Sequence, residues 1–127
     1  MPSDRFARRV FTGAGIYGLV CLVPMYGVER ILGTMFPPPI THPEFFYGFA
    51  GVALAWQVAF LIIGRDPVRY RALMVPSIVE KIGYGGAVVV LVVLGRTVPG
   101  LLPTAIIDLG LAVLFAMSFV RTPDRAI

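Results

Sequence analysis

The fold of this chain is decided by residues 80–95, whose sequence is EKIGYGGAVVVLVVLG. Residues 82–95 are uncharged, and at a rise of about 1.5 Å per residue they reach only about 21 Å. A helix needs about 20 residues to cross the hydrocarbon core of a bilayer. A spanning helix must therefore include Glu80 and Lys81 or begin beside them. Ionisable groups are costly at that depth and usually mark a functional site.

The composition is that of an integral membrane protein. The chain has 127 residues, of which 57% are hydrophobic and 14% are charged, and its mean hydropathy is +0.84. A soluble domain of this size leaves too much surface exposed to hide so many apolar side chains. We therefore predict an all-α, four-helix membrane bundle forming one domain over residues 1–127, with helices at about residues 10–34, 45–64, 67–95 and 101–120.

The arginines predict the orientation of the bundle. With both chain ends in the cytoplasm, the far side holds only Arg30 and Arg96, and the cytoplasmic side holds Arg5, Arg8, Arg9, Arg65, Arg69, Arg71, Arg121 and Arg125. This bias follows the positive-inside rule and predicts a multi-pass protein of a bacterial inner membrane. The net charge of +4 is explained by these helix ends. The sequence has no basic stripe with interleaved aromatic residues, which is the pattern that would indicate nucleic-acid binding.

Local signals predict how the helices begin and bend. Pro24 should bend the first helix. Thr41 and Glu44 have the spacing of a capping box at the start of the second helix. Asp66 is placed to cap a helix that begins near residue 67, runs along the membrane surface and bends at Pro76 into the third crossing.

Small residues at four-residue spacing predict the helix contacts, because helices in lipid associate by close backbone approach. Such stripes are Ala14 and Gly18 on the first helix, Gly51, Ala55 and Ala59 on the second, and Gly83 and Ala87 on the third.

One candidate pocket lies toward the cytoplasmic side. Gln57 and Glu80 fall at comparable depths on antiparallel helices, and Tyr84 shares the face of Glu80. Trp56 is too deep to be an interfacial anchor and should face the bundle. Lys81 is expected to point about 100° away from Glu80. Either Glu80 binds a proton or ligand in this pocket, or Gln57 or Tyr84 holds it as interhelical glue while Lys81 snorkels to the headgroups.

A second polar cluster is expected on the outer side. Glu29 and Arg30 end the first helix, His42 and Glu44 open the second, and Asp108 lies about two turns into the fourth. Asp108 could contact Arg30, and His42 with the carboxylates could form a metal or proton site. Carboxylates at helix starts more often serve as caps and dipole partners. No metal and no cofactor is required by the sequence.

Part of the chain resembles known membrane proteins. Residues 42–57 (HPEFFYGFAGVALAWQ) and 65–71 (RDPVRYR) look like a set of small bacterial membrane proteins of uncharacterised function. More loosely, the four-helix plan resembles the DoxX-like group. That resemblance implies an accessory membrane subunit, and some members of the group are linked to quinone-dependent redox complexes. No motif here matches a quinone site residue by residue.

Three functions follow as expectations. The leading one is a non-catalytic accessory subunit of a membrane complex, with a lipid or quinone pocket among its helices and a protein partner or second copy beside it. The alternative is a small proton-coupled transporter or channel that uses Glu80. A lipid-modifying enzyme with Glu80 or Asp108 as general acid or base is a weaker third, because no catalytic motif is present.

Overall fold

The computed structural model describes residues 4–125, which form helices and no strand. Five α-helices and three short 3-10 turns follow one another along the chain. The α-helices are α1 (Arg5–Leu22), α2 (Glu29–Met35), α3 (Pro43–Arg65), α4 (Met74–Val93) and α5 (Leu102–Arg121). Four segments are long and apolar enough to cross a membrane: Arg5–Gly27, Pro43–Arg65, Arg71–Val93 and Pro99–Arg121. The predicted all-α four-helix bundle is confirmed, and the chain is a multi-pass membrane protein.

The first crossing is interrupted where Pro24 was expected to bend it. Helix α1 ends at Leu22, a 3-10 turn covers Val23–Gly27, and the short α2 follows. Proline cannot donate the backbone hydrogen bond that would continue the α-helix. The crossing begins at Arg5, earlier than the expected residue 10.

Two predicted helix starts are wrong in detail. Helix α3 begins at Pro43 with His42 as its N-cap, and no side chain caps it. The predicted box fails because Glu44 is paired with His42, through Oε1 and Nδ1 at 3.1 Å, and not with Thr41.

The segment before α4 also differs from the prediction. Asp66 Oδ1 does accept a hydrogen bond from the Arg69 backbone N–H, at 3.2 Å. However, residues 67–70 form a turn and Arg71–Leu73 a 3-10 turn, so the α-helix begins only at Met74. Pro76 lies in the first turn of α4, where its missing N–H removes no helical hydrogen bond.

Helix α4 ends at a glycine with left-handed backbone geometry. Gly95 has a φ of 71°. The Arg96 N–H donates to the Leu91 carbonyl at 2.8 Å, and the Gly95 N–H donates to the Val92 carbonyl at 3.0 Å. This pair of bonds is a Schellman cap, which favours glycine at this position.

The helices pack mainly as two antiparallel pairs, α1 with α3 and α4 with α5, and α1 joins the pairs by contacting α5. Helices α3 and α4 touch very little although they are consecutive crossings. Near the chain termini the pairs close over three buried rings. Phe11 stacks on Phe115 with centroids 4.2 Å apart, and Phe60 meets Phe115 edge to face at 4.9 Å.

The same end of the bundle is rich in arginine. The Arg8 guanidinium donates to the Arg65 carbonyl, which brings the start of α1 beside the end of α3. The Arg121 guanidinium lies 4.5 Å from the Phe6 ring centroid. Arg71 Nε donates to the Phe119 and Thr122 carbonyls at 3.1 and 2.8 Å. The arginines assigned to one side by sequence therefore lie on elements that meet at one end.

The small-residue stripes are correct on only one helix. Ala14 and Gly18 are buried, as expected. On the other two helices the predicted stripes lie outside the buried face, which instead contains Ala50, Ala53 and Gln57 on α3 and Gly85 on α4. A Cβ on Gly85 would lie 2.7 Å from Leu109 Cγ and 3.0 Å from the Ala105 carbonyl oxygen. Spacing alone does not reveal which face of a uniformly apolar helix meets its neighbour.

We predict that Gly85→Ala destabilises the bundle by about 1–3 kcal/mol, because α4 and α5 would have to move apart. The control is Gly83→Ala, where a Cβ meets nothing within 4 Å. That variant should differ from the parent by less than about 1 kcal/mol. The free energy of unfolding in mixed micelles measures both, and equal effects would contradict the observed α4–α5 contact.

Candidate functional site

A cavity of about 310 Å³ lies inside the bundle. It is separated from the arginine-rich end by the aromatic cluster of Phe11, Phe60 and Phe115. All four crossings contribute side chains to it, and Leu32 of the short α2 and Phe36, which follows that helix, close one side. Most of the wall is apolar. The polar residues in the wall are Tyr17, Gln57, Glu80, Lys81, Tyr84, Thr104 and Asp108.

Lys81 is the centre of the polar wall. Its side chain is only 5% exposed, and its Nζ lies 3.5 Å from Asp108 Oδ1 and 3.7 Å from Glu80 Oε2. The Glu80 and Asp108 side chains are 17% and 15% exposed. Nζ also lies 5.2 Å from the Phe60 ring centroid, at a distance suited to a cation–π contact. One ammonium thus joins two carboxyl groups on different helices.

The expectation that Glu80 and Lys81 diverge is wrong. Adjacent helical residues do start about 100° apart, but the flexible four-carbon stem of lysine brings Nζ back toward Glu80. Snorkelling of Lys81 to the headgroups is wrong as well, since the side chain is buried and paired inside the bundle. Both Glu80 and Lys81 line the cavity.

Asp108 belongs to this site and not to an outer cluster with Arg30. Asp108 lies 13 residues before Arg121, the arginine-rich end of α5, which is about 20 Å along the helix. Lys81 lies seven residues after Met74, the corresponding end of α4, which is about 10 Å along that helix. The lysine side chain bridges much of that difference. From sequence, the depth of each residue can be counted only along its own helix. That count assigned Asp108 and Lys81 to opposite leaflets, although their side chains form an ion pair.

Gln57 is almost completely enclosed, with 1% exposure. Its Nε2 donates to the Ala53 carbonyl at 2.8 Å, one turn earlier on α3. Its Oε1 has no hydrogen-bond partner among the residues that the structure describes. The amide packs against Gly18 of α1, where any Cβ would overlap it. The amide oxygen is thereby held against α1 without a hydrogen-bond partner.

Tyr84 lines the cavity as predicted, but its hydroxyl pairs with Thr104 at 2.8 Å. Thr104 donates its single hydroxyl proton to the Leu101 carbonyl at 2.7 Å. Tyr84 is therefore the donor to Thr104. The interhelical hydrogen bond that exists here joins Tyr84 of α4 to Thr104 of α5. Neither Gln57 nor Tyr84 holds Glu80, whose ion-pair partner is Lys81.

A groove of about 560 Å³ lies between α3 and α4, where those helices fail to pack. It shares Phe49, Ala53, Glu80 and Tyr84 with the cavity. Phe49 and Tyr84 stack across it with ring centroids 5.6 Å apart. Trp56 lines this groove and packs on the aromatic cluster, so it lies beside the predicted pocket and is absent from the cavity wall.

The other outer residues do not form one cluster with Asp108. Glu29 Oε2 accepts a hydrogen bond from the Tyr47 hydroxyl at 3.1 Å, and His42 pairs with Glu44 in an exposed position. Arg30 is exposed and lines a shallow site with Glu29. Across residues 4–125, no three His, Cys, Asp or Glu side chains are grouped to hold a metal ion.

The sequence did not single out Tyr17, Phe49 or Thr104 as cavity residues. Thr104 precedes Asp108 by four residues and so shares its helix face, which is a signal that would have found it. Tyr17 and Phe49 are aromatic residues on apolar helices, and nothing in their spacing separates a cavity wall from a lipid-facing surface.

We predict that Lys81→Met lowers the free energy of unfolding by about 3–5 kcal/mol at neutral pH, because two enclosed carboxyls lose their shared cation. Adding Asp108→Asn to that variant should recover part of the loss. The control is Arg30→Gln at an exposed position. Denaturation in mixed micelles measures all three, and a Lys81→Met loss below about 1 kcal/mol, as for a surface pair, would contradict the enclosed cluster.

Comparisons with known proteins yield no relative. No family model, no curated protein and no solved structure matches this chain.

Proposed function

We propose that this chain is a bacterial inner-membrane protein that binds a small amphipathic molecule inside its bundle and acts as an accessory subunit of a membrane complex. The observation that carries the proposal is the cavity with Lys81, Glu80 and Asp108 on one wall and apolar side chains around the rest. Pockets for small ligands combine an apolar lining with a few placed polar groups in this way. The arginine-rich end is assigned to the cytoplasm under the positive-inside rule.

The size of the cavity supports a ligand of more than one ring. An engineered apolar cavity of about 150 Å³ accommodates benzene, and this one has about 310 Å³. A lipid headgroup with part of a chain, or a quinone-like ring with part of its tail, is of suitable size. The polar wall would orient such a molecule and the apolar wall would bury it.

The groove between α3 and α4 supports access from the bilayer. It continues the cavity through shared residues, and Phe49 and Tyr84 lie where the two meet. A molecule dissolved in lipid would reach the polar wall by displacing these rings, without crossing the arginine-rich end.

The accessory role rests on two further considerations. The chain has few polar side chains, and the connections between its helices are short. Few residues outside the cavity could therefore form a catalytic site. The loose resemblance to the DoxX-like group remains a prediction, and it implies an accessory subunit, in some members near quinone-dependent enzymes. We extend that implication to this chain as part of the proposal.

We predict that Ala53→Phe displaces the occupant, because Ala53 is 6% exposed and lines both cavity and groove. The matched control is Ala55→Phe on the exposed face of the same helix. Native mass spectrometry of protein released from native-lipid nanodiscs should show a bound small molecule in the parent and control, and at least a tenfold loss in Ala53→Phe.

Absence of any co-purifying small molecule from the parent, with equal spectra for the two alanine variants, would contradict an occupied intramembrane pocket. A stoichiometric protein partner in the same spectra would support the accessory role.

Proton-coupled transport is the second candidate, favoured by the enclosed cluster of one ammonium and two carboxyls. Such groups inside a membrane often form proton relays. We predict that Glu80→Gln then removes pH-dependent flux in liposomes while the melting temperature stays near that of the parent. Flux that persists in folded Glu80→Gln would count against transport through Glu80.

A further inference from the structure

We propose that the occupant of the cavity is an amphipathic organic cation, a lipophilic ammonium, whose head binds in the cavity beside the Lys81–Glu80–Asp108 cluster and whose binding releases one proton from the carboxyl pair. This inference rests on the proposed binding function and names its ligand class. It is supported by three features of the cavity lining: its charge, its acceptors without a hydrogen bond and its aromatic rings.

The charge of the cluster is unbalanced. Lys81 is one cation between two carboxyl groups, and both ion-pair distances end at the same Nζ. If both carboxyls are ionised, one negative charge is uncompensated, and an isolated charge away from water is strongly unfavourable. A single proton or a single monovalent cation restores neutrality. An anionic ligand would double the excess, and a neutral ligand would leave it unchanged.

Two cavity residues carry buried acceptors that lack a hydrogen bond within the described part of the chain. These are Gln57 Oε1, which lies against Gly18 of α1, and Glu80 Oε2, whose ion-pair partner Lys81 Nζ is 3.7 Å away. An unmet buried acceptor destabilises its state unless a donor arrives. A quinone offers only carbonyl acceptors and cannot satisfy these atoms, whereas a primary or secondary ammonium has donors and charge together.

Four aromatic rings line the cavity, those of Tyr17, Phe36, Phe49 and Tyr84. Ring faces attract ammonium groups, and more strongly where water is excluded. A cavity lined by both rings and carboxyls favours an organic cation over an inorganic one.

The proton released on binding is assigned to the carboxyl pair. Helix α1 brings Tyr17 and Cys21 to the cavity, α4 brings Lys81 and Tyr84 besides Glu80, and α5 brings Asp108. The contribution of α3 is Phe49, Ala53 and Gln57, none of which titrates. The exchange balances, because the protonated pair takes up one cation and gives one proton to water, with no electron transferred.

The test uses three naphthyl compounds that share their rings and differ in their heads: 1-naphthylmethylammonium, 1-naphthylmethanol and 1-naphthylacetate. Titration calorimetry with the protein in phosphatidylcholine nanodiscs gives each affinity. We expect the ammonium to bind at least tenfold more tightly than the alcohol, and the acetate to bind most weakly. Repeating the titration in buffers of different ionisation enthalpy should show about one proton released per ammonium bound, with affinity rising by up to about tenfold per pH unit.

Variants assign the effect to the cluster. Glu80→Gln and Asp108→Asn should each lose both the preference for the ammonium and the proton release. Glu44→Gln, which neutralises an exposed carboxyl at the start of α3, should keep both. If a cluster variant does not fold, as judged by its circular dichroism, the head-group series and the proton count on the parent protein still decide the question.

Equal binding of alcohol and ammonium, or binding without proton release, would overturn the inference and leave the proposed binding function standing. Failure of all three compounds to bind would also overturn it. In that case the proposed binding function is tested separately: it still stands if a small molecule co-purifies with the parent and is lost in Ala53→Phe.

Discussion

An ammonium group enclosed among apolar helices must be paired, and Lys81 meets this constraint by drawing Glu80 and Asp108 to itself. Its Nζ lies within 3.7 Å of both carboxyls. The pair with Asp108 joins α4 to α5, and the pair with Glu80 keeps that carboxyl at the cavity wall. Without a shared cation the two carboxyls would have no reason to approach in a medium of low dielectric constant. The polar wall therefore depends on one side chain.

The cavity is a consequence of how the helices pair. Close packing at Gly85 holds α4 against α5, and Gly18 admits the Gln57 amide between α1 and α3. These two contacts leave α3 and α4 apart, so that a groove opens between consecutive crossings. Phe11, Phe60 and Phe115 close the bundle toward the arginine-rich end. A site that is sealed by aromatic residues at one end and open toward lipid at its side is suited to a molecule that arrives through the bilayer.

The sequence was sufficient for the fold because hydropathy and length alone distinguish a spanning helix. It also identified Glu80, Gln57 and Tyr84 as residues of one pocket. Two predictions failed because side-chain reach and helix rotation decide them: Lys81 was expected to point away from Glu80, and Asp108 was placed in the other leaflet. The packing faces of α3 and α4 were missed for a related reason, since a helix that is apolar all round has no period to indicate its buried side.

Lys81 is the only lysine of the chain, and its contact with Asp108 can therefore be measured directly. Protein in lipid bilayers would be labelled with ¹⁵N at lysine Nζ and ¹³C at aspartate side-chain carboxyls, and solid-state NMR would measure their dipolar coupling. We expect one measurable coupling, consistent with Nζ 3.5 Å from Asp108 Oδ1, and its loss in Asp108→Asn. An absent coupling, or one that persists in that variant, would contradict a polar wall built around Lys81.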